Sequence, residues 1–85
     1  MKHAGSVCLE GLSVLLTEIR GLGVLAEKKP GIFYRKGKAY VHFHEDPAGV
    51  FADARIHDSE FTRYAVNTEV EKRNFMQVLR TALRP

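Results

Sequence analysis

Apolar positions recur with a helical period from Ser6 onward. Cys8, Leu12, Leu15, Ile19 and Leu22 fall on one stripe, widened by Leu9 and Leu16, while Glu10, Ser13, Thr17 and Arg20 fall opposite. The spacing predicts an amphipathic helix opening at Ser6 as N-cap and closing at Gly21 and Gly23. Gly11 lies inside it, and glycine there costs about 1 kcal/mol relative to alanine, so close packing is expected. Met1 to Gly5 reads as a loose lead-in.

The period then changes to two. Val24 to Glu27 reads as a short strand, broken by Lys28-Lys29-Pro30-Gly31. Ile32 to Lys36 and Lys38 to Glu45 alternate and are rich in aromatic and β-branched residues, with Lys36-Gly37 fitting a two-residue hairpin loop between them. That register places Ile32, Tyr34, Ala39, Val41 and Phe43 on one face. Phe33, Arg35, Lys38, Tyr40, His42 and His44 take the other. Asp46-Pro47-Ala48-Gly49 has the chemistry of a type I turn closed by a glycine bulge. Val50 to His57 and Phe61 to Val66 follow as strands, separated by an Asp58-Ser59 turn. Thr68 and Glu71 form a capping box ahead of a last helix with the apolar stripe Phe75, Met76, Leu79, Ala82 and Leu83.

The order is helix, antiparallel meander of four or five strands, helix: an α+β fold in a single domain of 85 residues. Each helix has one apolar stripe, so both are expected on one face of the sheet. The other face is then left for function.

Cys8 is the lone cysteine, which rules out an internal disulfide and implies no oxidising compartment. Between Val7 and Leu9 it reads as a packed thiol. The apolar run Val7 to Leu16 is interrupted by Glu10 and Ser13, no cleavage-site pattern follows, and nothing approaches a membrane span. A cytoplasmic protein without a membrane partner is expected.

The run from Pro30-Gly31-Ile32-Phe33-Tyr34-Arg35-Lys36-Gly37-Lys38 through His42-Phe43-His44-Glu45-Asp46-Pro47-Ala48-Gly49 to Phe51-Ala52-Asp53 resembles small bacterial proteins sharing an HFHEDP-x-G-x-FAD core. More distantly it is similar to the YjbR-type and YdhG-type small α+β domains. The likeness covers residues 30 to 83. It implies a glycine-turned hairpin sheet bent against helices and a bacterial origin, and it transfers no catalytic residue.

His42-Phe43-His44-Glu45 is the sharpest constellation. Residues two apart on a strand project from one face, 6–7 Å apart at the backbone by strand geometry, so His42 and His44 can share a metal ion with a third ligand from Asp53 or His57. A bulged Asp46–Gly49 turn would set His44 against Ala52 and put Asp53 on the opposite side; a regular ladder would set His42 against Asp53. The turn chemistry favours the bulge, which leaves surface imidazoles beside Tyr40 and Arg35 as the simpler reading.

The net charge is +3, with 13 Lys and Arg against 10 Asp and Glu, a mild excess that permits an anionic partner without requiring one. Lys28, Lys29, Arg35, Lys36 and Lys38 cluster at the first hairpins among Phe33, Tyr34 and Tyr40, a pattern suited to nucleic acid; Lys28, Lys29, Lys36 and Lys38 would contact phosphates. Lysines also protect sheet edges. Arg73, Gln77, Arg80 and Arg84 line the last helix, where cations complement the helix dipole and Glu69 is spaced to pair with Arg73.

No nucleophile, base and orienting group stand together, and no glycine loop cradles a phosphate, so neither an enzyme nor a cofactor is expected. Phe33, Tyr40 and Phe51 are large for a wetted face. The expectation is a small binding module that self-associates or meets a partner protein through Arg35, Tyr40, His42, His44 and Asp53. Nucleic-acid binding through the basic hairpin, and metal binding or hydrolysis at His42 and His44, are the alternatives.

Overall fold

The computed structural model describes residues 2–57 and 60–84. The Asp58-Ser59 turn and Pro85 lie outside the described residues. Chain order is β1 (Lys2–His3), α1 (Ser6–Gly11), α2 (Ser13–Gly21), β2 (Ala26–Lys29), β3 (Ile32–Arg35), β4 (Lys38–Asp46), β5 (Gly49–His57), β6 (Glu60–Ala65) and α3 (Glu69–Ala82). Strands β2 to β6 form an antiparallel meander in sequence order, and β1 pairs with β4. The class is α+β, with N-terminal helices, a five-stranded meander and a C-terminal helix.

The expected first helix is two. Leu12, at φ −104° and ψ 11°, interrupts the helical turn between α1 and α2, and Gly5 rather than Ser6 stands at the N-cap. A methyl group added to Gly11 would meet nothing within 4 Å, so this glycine marks the break and no close packing. The apolar stripe survives the break, because Leu12, Leu15, Leu16 and Ile19 are all buried. They meet Phe33, Val41, Phe43, Ala52 and Ala54 from the sheet and Phe75, Met76 and Leu79 from α3 in one core. Thr68 and Glu71 make the capping box in both directions, at 3.1 Å each way. Glu69 pairs with Lys72, not Arg73.

Arg20 near the end of α2 grips Glu27 of β2 through Nε and Nη2 at 2.6 and 3.0 Å. The same carboxylate accepts the Gly31 N–H at 3.0 Å, so one side chain ties helix, edge strand and turn together. Strand β2 runs two residues later than the pattern indicated, through the lysine pair and up to Pro30.

The first hairpin turns on Lys36 and Gly37 as expected, both at positive φ (52° and 81°), the signature of a type I′ turn. Its faces are not as expected. Tyr34 pairs with Ala39 but Phe33 pairs with Val41, so β4 carries one extra residue, Tyr40. That bulge carries Phe33 to the core face beside Val41 and leaves Ile32 opposite His42. Phe33 is fully buried, and Tyr40 is only 5% exposed.

The second hairpin is regular where a bulge was expected. Asp46 pairs with Gly49 around a two-residue loop, and the ladder continues through His44 with Phe51 and His42 with Asp53. The Asp46 side chain closes the turn by accepting the Ala48 N–H at 2.7 Å. Asn67, just before α3, clasps Val50: its Oδ1 accepts the Val50 N–H at 2.8 Å and its Nδ2 donates to the Val50 carbonyl at 3.3 Å. With both ends of the turn pinned, no residue is released for a bulge.

Candidate metal centre

The regular ladder reverses the expected separation of His42 from Asp53. His42 and His44 on β4 and Asp53 on β5 share the sheet face opposite the helices, and Arg63, paired with Asp53 across β5 and β6, joins them. The lead-in supplies a third imidazole. Lys2–His3 adds a strand along β4 beyond the end of β3, with His3 opposite His44, and the Ala4 N–H donates to the Phe43 carbonyl at 3.0 Å.

Three histidines therefore converge. One ring nitrogen from each of His3, His42 and His44 lies within 4.8 Å of the other two. His42 Nδ1 and His44 Nε2 are 2.6 Å apart, sharing one proton in a hydrogen bond. The His3 ring stacks on His42 at 5.5 Å between centroids and meets His44 edge-on at 4.8 Å. Phe61 of β6 abuts His42 edge-on at 4.6 Å and carries the Arg55 guanidinium over its face at 4.3 Å. His3 is exposed and His42 half-buried, so the cluster opens to solvent on the β1 side.

Asp53 is the only polar residue fully withdrawn into the interior among the described residues, at 6% exposure. Arg63 meets it with two parallel hydrogen bonds, Nε to Oδ1 at 2.8 Å and Nη2 to Oδ2 at 2.9 Å. Oδ2 also lies 3.3 Å from His44 Nε2. The Arg63 hydrogen bonds hold the Asp53 carboxyl below its ordinary range, against the opposing effect of burial. Burial pushes the His42 imidazole down from its ordinary value, with the neighbouring His44 acting in the same direction and Asp53 against it. A neutral imidazole is the form that ligates a metal.

Three imidazoles from two strands with an open side match the three-ligand arrangement of zinc sites that keep a position for water or substrate. In a tetrahedral site with Zn–N of ~2.0–2.1 Å the ligand nitrogens stand roughly 3.3 Å apart. From 2.6 Å the His42–His44 pair would open by about 0.7 Å, and from at most 4.8 Å His3 would close by up to about 1.5 Å, roughly twice as far. An all-imidazole set suits zinc, copper, nickel or cobalt and disfavours magnesium and calcium, which take oxygen ligands.

The remaining expected site residues are dispersed. His57 is exposed at the far end of β5, outside the cluster. Tyr40, expected on the working surface, is buried, because the bulge turns it into the protein. Arg35 lies over its ring at 5.6 Å. Of the aromatics expected to stack bases, Phe33 and Tyr40 are in the core; Tyr34 alone stays half-exposed, beneath Lys28 at 5.7 Å. Cys8 is half-buried, and burial together with Glu45 raises its thiol pKa, which suits packing rather than nucleophilic attack. His3, Arg63 and Phe61 were not expected at the site. A two-residue strand is too short for any periodicity to announce it, and Arg63 and Phe61 enter only through the β5–β6 register.

No helix among the described residues is long and apolar enough to cross a membrane. No protein family, curated protein or solved structure matches the chain.

Proposed function

We propose that the protein is a small metal-binding module that holds one late first-row transition ion, zinc being the simplest case, through His3, His42 and His44. The observation that carries the reading is the convergence of three imidazole nitrogens within 4.8 Å on the sheet face turned away from the helices. Asp53 adds negative charge beside the cluster. Because Arg63 engages that carboxylate on both oxygens, the arrangement favours holding an ion over activating a bound water.

Calorimetric titration of the chelator-treated protein with zinc or nickel tests it. One equivalent should bind, magnesium should not, and His3→Ala or His42→Ala/His44→Ala should weaken binding by at least about tenfold, as loss of a supporting group at a metal site already does. Equal binding by wild type and the double variant, or no saturable binding, would sink the reading.

A second reading, self-association, is favoured by one observation: Ile32, Tyr34, Phe51 and Phe61 stay half-buried on that same outer face. Solution mass at two concentrations, with and without zinc, tests it. A monomer under all four conditions argues against it.

A further inference from the structure

We propose a second, separate site: a cationic hollow at the turn end of the β3–β4 hairpin that binds the phosphoryl group of an anionic ligand. Arg35, Lys36, Lys38, Ala39, Tyr40 and Arg55 line a cavity of ≈ 390 Å³. Among the described residues, every charged residue on its wall is a cation. Four of the chain's 13 Lys and Arg residues meet there, although ten acidic residues are available to the sequence as a whole. Among the described residues, none of the four forms an ion pair; the pairs made by Lys and Arg all lie elsewhere, at Arg20, Arg63, Lys72 and Arg80.

Two features make this more than a wetted lysine edge. Arg35 and Arg55 are half-buried, and a guanidinium withdrawn from water without a carboxylate is costly unless something compensates. Both are also held in place. Arg55 donates Nε–H to the Ala39 carbonyl at 3.1 Å and rests 4.3 Å above Phe61, which leaves its terminal N–H groups to turn toward a ligand. Arg35 rests on Tyr40. The Tyr40 bulge falls on the wall of this hollow, and bulges bend a strand and recur beside binding sites. Planar guanidiniums fixed at the wall, with flexible lysines at the mouth, are the donor set that recognises phosphate oxygens.

The ligand can be a small phosphorylated molecule or the backbone of a nucleic acid, and the test separates them. Inorganic pyrophosphate and a labelled oligothymidylate serve as probes, both in the presence of EDTA so that the histidine cluster plays no part and either site can fail alone. Perturbation of the Arg35 and Arg55 Nε–H resonances by pyrophosphate, with affinity lowered at least tenfold in Arg35→Gln/Arg55→Gln, is the expected result. Lys36→Gln/Lys38→Gln alters exposed side chains only, so it keeps the test valid should the arginine variant not fold; it should weaken binding severalfold. Lys72→Gln/Arg80→Gln on α3 should leave binding unchanged. Displacement of the oligonucleotide by pyrophosphate, with a log–log salt slope of about −0.7 per phosphate contacted, identifies a nucleic-acid backbone as the source. Pyrophosphate binding without oligonucleotide binding identifies a small ligand. Binding of neither probe at low salt, or binding equal in wild type and both hollow variants, overturns the proposal.

Discussion

Arg63 and Asp53 face each other directly across the β5–β6 ladder and close through two hydrogen bonds of 2.8 and 2.9 Å. The carboxylate is interior, whereas the Arg63 side chain is 50% exposed, so the cation reaches in from solvent to a charge that cannot reach out. The guanidinium is the larger of the influences that depress the Asp53 pKa, and burial works against it.

Replacing Arg63 by alanine should therefore act through acid stability. A depressed carboxyl contributes stability above its unfolded pKa, near 3.8, and loses it as pH falls through the lower folded value. Without Arg63, burial acts unopposed by its main competitor, and the carboxyl takes up its proton at higher pH. The midpoint of acid unfolding, followed by circular dichroism, should move upward in Arg63→Ala. An unmoved midpoint would mean that the pair does not couple to folding.

His42 gives a second limb, nearer neutrality. Its folded pKa lies below the ordinary 6.5, chiefly through burial, so the unfolded chain binds a proton that the folded chain resists. Stability should fall as pH drops from about 6.5 through the folded value, and His42→Gln should flatten that part of the profile measured by urea titration at successive pH values. A slope as steep in the variant as in wild type would assign the effect to other groups. For metal binding, the same shift means that His42 keeps its lone pair to a lower pH than a free imidazole does.

Gly49 should be intolerant of a side chain. It sits at φ +138°, and a methyl group there would lie 2.8 Å from Asn67 Oδ1 and 2.9 Å from Nδ2. Gly49→Ala should cost about 1–3 kcal/mol from backbone strain, with displacement of the Asn67 clasp adding to it. In a domain of this size each kcal/mol is worth roughly 4–8 °C in Tm. In an Asn67→Ala background the glycine substitution should cost measurably less, because the side chain it collides with is gone. Strict additivity of the two Tm losses would show that Asn67 is not what reads Gly49.

What could be read from the chain alone was whatever has a period or a local signature. The Leu12–Ile19 stripe, the Lys36-Gly37 turn and the Thr68–Glu71 box each specify their element within a few residues, and each stands in the fold. Strand phase was not readable, because phase is set by where one residue is inserted. Nothing in the alternation of Ala39, Tyr40 and Val41 says that Tyr40 is the extra one, yet that single residue exchanges Ile32 for Phe33 in the core. At Asp46–Gly49 the local chemistry suggested a bulge, and a side chain 18 residues further on, Asn67, holds the regular register instead. The site depends on both points: a bulged register turns Asp53 away from His42, and a two-residue strand has no period by which the sequence could place His3, rather than His57, beside His42 and His44.

The third imidazole comes from far away along the chain, since His3 arrives on β1 while its neighbours sit in the middle of β4. An ion gripped by all three would behave as a reversible cross-link, enclosing a loop of roughly 40 residues that contains both N-terminal helices, β2 and β3, and a closure of that length removes a substantial part of the unfolded chain's freedom. Ion binding would then be felt well beyond the outer face, as slower fraying of α1 and α2 on the other side of the sheet.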